Sequence, residues 1–164
     1  ETDVQSYSTQ ADPATSSGIR LNLWRRAIQT IGQHPLGGSG VGSWSTEFNR
    51  LQRNQNPAHI DIDSNGNPHQ EYLLWGVQLG IPGVLLLFGL MLSVLRDTTR
   101  MDKPHARAAQ STLLALAIAC LFNSSIYDAQ IGDFFCVLIG LLLALGLSKT
   151  PTHDITLHLH EHAT

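Results

Sequence analysis

The chain has 164 residues, enough for one modest domain, with 43% apolar residues, only 14% charged residues and a net charge of −3. That charged share is well below the soluble average of about 25%, and no basic stripe is present, which argues against a nucleic-acid partner. Polar and apolar residues are unevenly shared: residues 1–71 are rich in Gln, Asn, Ser and Gly, whereas residues 72–148 hold most of the leucine and few charges. The pattern predicts a water-exposed segment, 1–71, a membrane-embedded segment, 72–148, and a short tail, 149–164. The chain opens on Glu1 rather than Met and is expected to be part of a longer membrane protein with further helices on its N-terminal side. Cys120 and Cys136 both fall in apolar runs and read as small buried hydrophobes.

Residues 1–17, rich in Ser, Thr, Gln and Asp and including Pro13, read as a loop. Ser16 and Ser17 are expected to cap a helix over residues 18–32. In it Ile19, Leu23, Trp24, Ala27, Ile28 and Ile31 recur at helical spacing, with Arg20, Arg25 and Arg26 among them. "HPLGGSGVGSW", residues 34–44, ends that helix in a glycine-rich, backbone-exposed turn. No strand precedes it and the Lys-Ser/Thr of a nucleotide-binding P-loop is missing, although free N–H groups in such a turn suit a lipid phosphate. A second short helix, 43–53, and a polar loop, 54–68, follow. "DIDSNGNPHQEY", residues 61–72, nearly fits a calcium loop with Asp61, Asp63, Asn65 and Gly66. Its last position is Tyr72 where a bidentate Glu is needed, and an Asx-type turn accounts for the same residues.

Three apolar runs come next. The first, 72–95, contains no charged residue and is long enough to cross ~30 Å of hydrocarbon. Gly80, Pro82 and Gly83 interrupt it, and the proline predicts a kink. The second covers 108–122, or reaches 127 if Asn123, Ser124 and Ser125 belong to it. The third covers 131–147. The first link carries Arg96, Arg100, Lys103 and Arg107, whereas the second has Asp128 and Asp133 and no basic residue. By the positive-inside rule the basic link faces the cytoplasm. His69, Asp128 and Asp133 then face the other side, which is the periplasm in a bacterium. The tail, with His153, His158, His160 and His162, returns to the cytoplasm, where its histidines read as incidental.

The succession of "SSGIRLNLW", "HPLGGSGVGSW" and "NPHQEYLLWGVQLGIPG" resembles the C-terminal part of the O-antigen ligase family. That family includes lipopolysaccharide ligases, O-antigen polymerases and protein O-oligosaccharyltransferases. The most specific piece is His69-Gln70 followed at fixed spacing by Gly80 and Gly83, and the resemblance covers residues 16–148. It implies an all-α, polytopic, GT-C-like protein of the bacterial inner membrane. This chain would supply about three transmembrane helices and a periplasmic helical segment, with the active site facing the periplasm. The implied reaction moves a glycan from undecaprenyl pyrophosphate to a sugar hydroxyl of lipid A–core, among membrane lipids, with no metal or other cofactor.

By the same resemblance Arg20 is expected to bind the pyrophosphate, with Arg25 and Arg26 as further candidates. A guanidinium stays charged and grips phosphate with two parallel N–H groups. His69 matches the catalytic histidine, and imidazole is a base suited to neutral pH. Gln70, Glu71, Asp128 and Asp133 are candidates for orienting the base or holding the acceptor, while Glu71 equally suits a helix N-terminus. Polymerase and protein-glycosylating reactions remain open within the family. Outside it stands a non-catalytic transporter fragment in which His69 is structural.

Overall fold

A computed structural model describes residues 16–55 and 66–148. The calcium-like residues Asp61, Asp63 and Asn65, the N-terminal loop and the tail histidines lie outside the described residues. Five helices follow in order: α1 (Ser16–Gln33), α2 (Trp44–Gln55), α3 (Glu71–Thr98), α4 (Lys103–Phe122) and α5 (Ala129–Ser148). The described residues are thus all-helical, and α3, α4 and α5 are each long and apolar enough to cross a membrane.

Helix α1 forms because one face can be buried. Leu23, Ala27 and Thr30 recur every three or four residues and are fully buried. Leu23 and Ala27 meet Trp44 and Phe48 of α2 and Leu74 and Val77 of α3 in one apolar cluster. Ser16 and Ser17 lie inside the first turn of α1 rather than ahead of it. The helix stops at Pro35, which has no N–H to continue the ladder; its last bond runs from the His34 N–H to the Thr30 carbonyl, 3.0 Å.

The longest helix is bent back on itself. Gly80 has φ 72° and ψ −164°, far outside the helical region. Tyr72 and Phe88, placed symmetrically about Gly80, stack with ring centroids 5.2 Å apart. A straight helix would separate them by roughly 24 Å along its axis. A Cβ on Gly76 would likewise sit 3.5 Å from Val84 Cγ2. The two arms of α3, 71–79 and 81–98, therefore lie against each other as a V. The kink expected at Pro82 falls two residues earlier, because Gly80, alone between residues 77 and 82, lacks the Cβ that forbids such a backbone. The second arm measures roughly 27 Å at 1.5 Å per residue, close to the hydrocarbon thickness of ~30 Å. It is this arm, rather than the whole run from residue 72, that has the length of a crossing.

A helix broken beside or within a membrane must find partners for the backbone groups it frees. The glycine-rich loop supplies three. The Ile81 N–H, which in an unbroken helix would bond Val77, donates to the Pro35 carbonyl at 2.7 Å. The Val77 carbonyl accepts instead from the Ser39 N–H at 2.8 Å. The Gln78 carbonyl, which faces the position where Pro82 has no hydrogen, accepts from the Gly40 N–H at 3.0 Å. The approach is so close that a Cβ on Gly38 would run into the Gln78 carbonyl. With the Gly38 N–H bonded to the His34 carbonyl, these N–H groups patch a helix; they do not stand free for a lipid phosphate.

Helix α4 packs against both α3 and α5. It starts five residues before the apolar run, since Asp102 enters in extended conformation, Pro104 fits the first turn and His105 Nδ1 lies 2.7 Å from Asp102 Oδ1. Large side chains such as Leu85, Leu86, Leu92, Ile118, Val137 and Leu141 are exposed on the outside of the three helices. A contiguous apolar exterior of this kind suits hydrocarbon or other apolar neighbours, not water. The start of α3 and the α4–α5 link meet at one end of the bundle. Arg96, Arg100, Lys103 and Arg107 lie at the other, around the α3–α4 link.

Candidate active site

His69 occupies a tight turn just ahead of α3. It is the one non-glycine residue with positive φ among the described residues, at 51°. The turn is fixed from both sides. The Asn67 side-chain oxygen accepts the His69 N–H at 2.8 Å, an Asx turn. The preceding Pro68 is fully buried, and its carbonyl accepts the Trp24 indole N–H from α1 at 3.1 Å. The next residue, Gln70, is the N-cap of α3, its side-chain oxygen accepting the Leu73 N–H at 2.5 Å. The ring of His69 is half-buried, with Nδ1 3.3 Å from Asn123 Oδ1 at the end of α4. With the amide oxygen facing it, Nδ1 is the donor, and in the neutral ring the lone pair is then on Nε2.

Glu71 is the buried acid of this end, 1% exposed. Its Oε1 accepts the Trp75 indole N–H at 2.8 Å, and its Oε2 accepts the Ile126 and Tyr127 N–H groups at 2.9 and 3.2 Å. It does not orient the His69 imidazole as one sequence reading has it. It starts α3, as the other reading has it, and also ties α3 to the α4–α5 link. An amide there would turn an NH2 toward donors. Glu71→Gln is therefore expected to lower the unfolding free energy by about 1.5–3 kcal/mol. Chemical unfolding in detergent reads this directly, and a variant as stable as wild type would mean the tie is dispensable.

The three arginines of α1 have different surroundings. Arg20 is exposed and lies one turn before Trp24, so both share the face held against the His69 turn. Arg25 is exposed next to Trp24. Arg26 points into the packing between α1 and α2: it is buried, sits 4.9 Å over the Phe48 ring and donates from Nε to Asn22 at 2.7 Å. A guanidinium so placed holds helices together and is badly placed to meet a lipid headgroup. Asp128 caps α5, its Oδ1 accepting the Gln130 and Ile131 N–H groups at 3.1 and 3.3 Å. Asp133 is exposed about one turn further on. Both are at the His69 end of the bundle.

A family model described as O-antigen ligase matches residues 2–88, just over half of the chain. The chain belongs to the O-antigen ligase family. No match was found among curated proteins. The match takes in α1, α2, the glycine-rich loop, the His69 turn and α3 as far as Phe88. It supports a ligase- or polymerase-type function, glycosyltransferase in kind, in a multi-pass membrane protein. Asn123, Glu71's partners Ile126 and Tyr127, and the capping Asp128 lie beyond the matched stretch, in the link between α4 and α5. Sequence reading noted Asn123 only as a polar edge to an apolar run. Its one signal was an amide side chain at the end of a helix long and apolar enough to cross a membrane.

Proposed function

We propose that the protein transfers O-antigen polysaccharide from undecaprenyl pyrophosphate to lipid A–core, at the periplasmic face of the bacterial inner membrane, with His69 as general base. The observation that supports this most is the imidazole held on a fixed turn, Nδ1 engaged and Nε2 left as the accepting nitrogen. The basic link at the opposite end of the bundle supports a periplasmic place for His69.

In this reaction Nε2 takes the proton of the attacking core-sugar hydroxyl as its oxygen bonds the anomeric carbon. The bond from that carbon to the diphosphate oxygen breaks, and its electron pair leaves on undecaprenyl pyrophosphate. Arg20, with Arg25 beside it on α1, offsets the negative charge of the diphosphate. Attack opposite the leaving group inverts the anomeric centre. Gln70, Glu71 and Asp128 act on the scaffold, through the cap, the helix tie and the start of α5, while Asp133 is left to face the acceptor.

The test is reconstitution of the intact protein in lipid with undecaprenyl-pyrophosphate glycan and lipid A–core, in buffer containing a chelator. Transfer to lipid A–core without any nucleotide sugar is the expected result. Elongation of the glycan on its lipid carrier, or glycosylation of a protein acceptor, would overturn the assigned acceptor in favour of the polymerase or oligosaccharyltransferase reaction.

A further inference from the structure

We propose that Asn123 is the positioning residue of the site, fixing the tautomer and direction of His69 through its side-chain oxygen. The inference rests on the base assignment above and adds what makes that base competent. A neutral imidazole exists in two tautomers, and only the one with hydrogen on Nδ1 leaves Nε2 free to accept a proton. Among the described residues the ring partner of His69 is Asn123 Oδ1, 3.3 Å from Nδ1. No carboxylate takes this part, since both Glu71 oxygens are committed elsewhere.

The placement of Asn123 is itself well determined. It ends α4 in extended conformation, φ −151° and ψ 161°, with its N–H bonded to the Ala119 carbonyl at 2.9 Å. The two residues that follow, Ser124 and Ser125, are buried. Glu71 then holds the Ile126 and Tyr127 N–H groups. The base and its orienting amide lie 54 residues apart in sequence. The tie that keeps them together starts two residues after the base and grips three residues after the amide. A neutral partner suits a general base, because it selects the tautomer without adding a negative charge that would favour the imidazolium.

The experiment compares Asn123→Ala, Asn123→Asp and His69→Asn in the intact reconstituted protein. Asn123→Ala is expected to lower kcat roughly ten- to a hundredfold, the scale of a misplaced reacting group, with KM for donor and acceptor nearly unchanged. Asn123→Asp keeps an acceptor for the Nδ1 hydrogen, so it should recover most of kcat. Its carboxylate favours the protonated ring, so the acid limb of the pH–rate profile should move about one unit upward. Unchanged kcat in Asn123→Ala overturns the proposal, as does Asn123→Asp with the wild-type acid limb or with no more activity than the alanine variant. If the alanine variant does not fold, the aspartate variant and its pH limb decide. Full activity in His69→Asn would instead remove the base reading itself, whatever the Asn123 variants do.

Discussion

Replacing His69 with asparagine in the intact protein is expected to lower glycan transfer roughly 10²–10⁴-fold, the usual worth of a general base, while the fold survives. The choice of asparagine matters because His69 sits at φ 51°. Most side chains resist that left-handed backbone, and asparagine is among the few that accept it readily. A β-branched replacement such as valine would strain the turn and confuse loss of the base with loss of the scaffold. Asparagine keeps the turn, the Gln70 cap and the start of α3, and removes only the imidazole. Initial rates with saturating donor, set beside thermal unfolding of the same preparation, separate the two effects. A rate equal to wild type would leave His69 as a turn residue, as in the transporter reading.

Gly80→Ala is expected to be the most damaging of the small substitutions at the break. A backbone at φ 72° and ψ −164° is open essentially to glycine, and placing another residue there costs about 1–3 kcal/mol. The added Cβ would also lie 2.5 Å from the Pro35 carbonyl oxygen, a backbone atom pinned by the Ile81 N–H. Relief requires the V to open or the loop to leave, and either movement shifts the arm that begins beside His69. Transfer activity should therefore fall together with stability in detergent. Pro82→Ala makes the contrast. Its restored N–H would meet a Gln78 carbonyl already bonded to Gly40, so its effect should stay below about 1 kcal/mol. If the proline variant proves the more damaging, the break is made by Pro82 after all.

These two residues also mark how far the sequence could be read. Five helices were legible because each has a burial face or an apolar run, and His69 stood out as a candidate because of its spacing to Gly80 and Gly83. The shape of α3 was not legible. An uncharged run from 72 to 95 looks the same whether it is straight or folded, and the proline within it drew the kink to the wrong residue. What decides the bend is a loop some forty residues earlier, whose glycines read as a turn or a phosphate cradle until their N–H groups are seen bonded to α3. Glu71 was ambiguous for the same reason, since the N–H groups it accepts lie 55 and 56 residues away. Asn123 was passed over because an amide at the edge of an apolar run has no local pattern to announce it. Arg26 ranked beside Arg25, behind Arg20, because a charge on a helix does not declare which side Phe48 will cover.

The loop bonded across the break has a consequence for how the protein is built. Residues 71–98 have two possible shapes. Without the loop, the Val77 and Gln78 carbonyls and the Ile81 N–H would be left unpaired at the bend, each at a cost of several kcal/mol wherever water is excluded. The V becomes the lower state only once residues 35–40 have arrived at the same surface. Synthesis delivers them first, so the emerging helix meets its template already in place. The place of the break is written in α3 itself, at Gly80, and the partners that stabilise it come from residues 35–40, which the chain makes first.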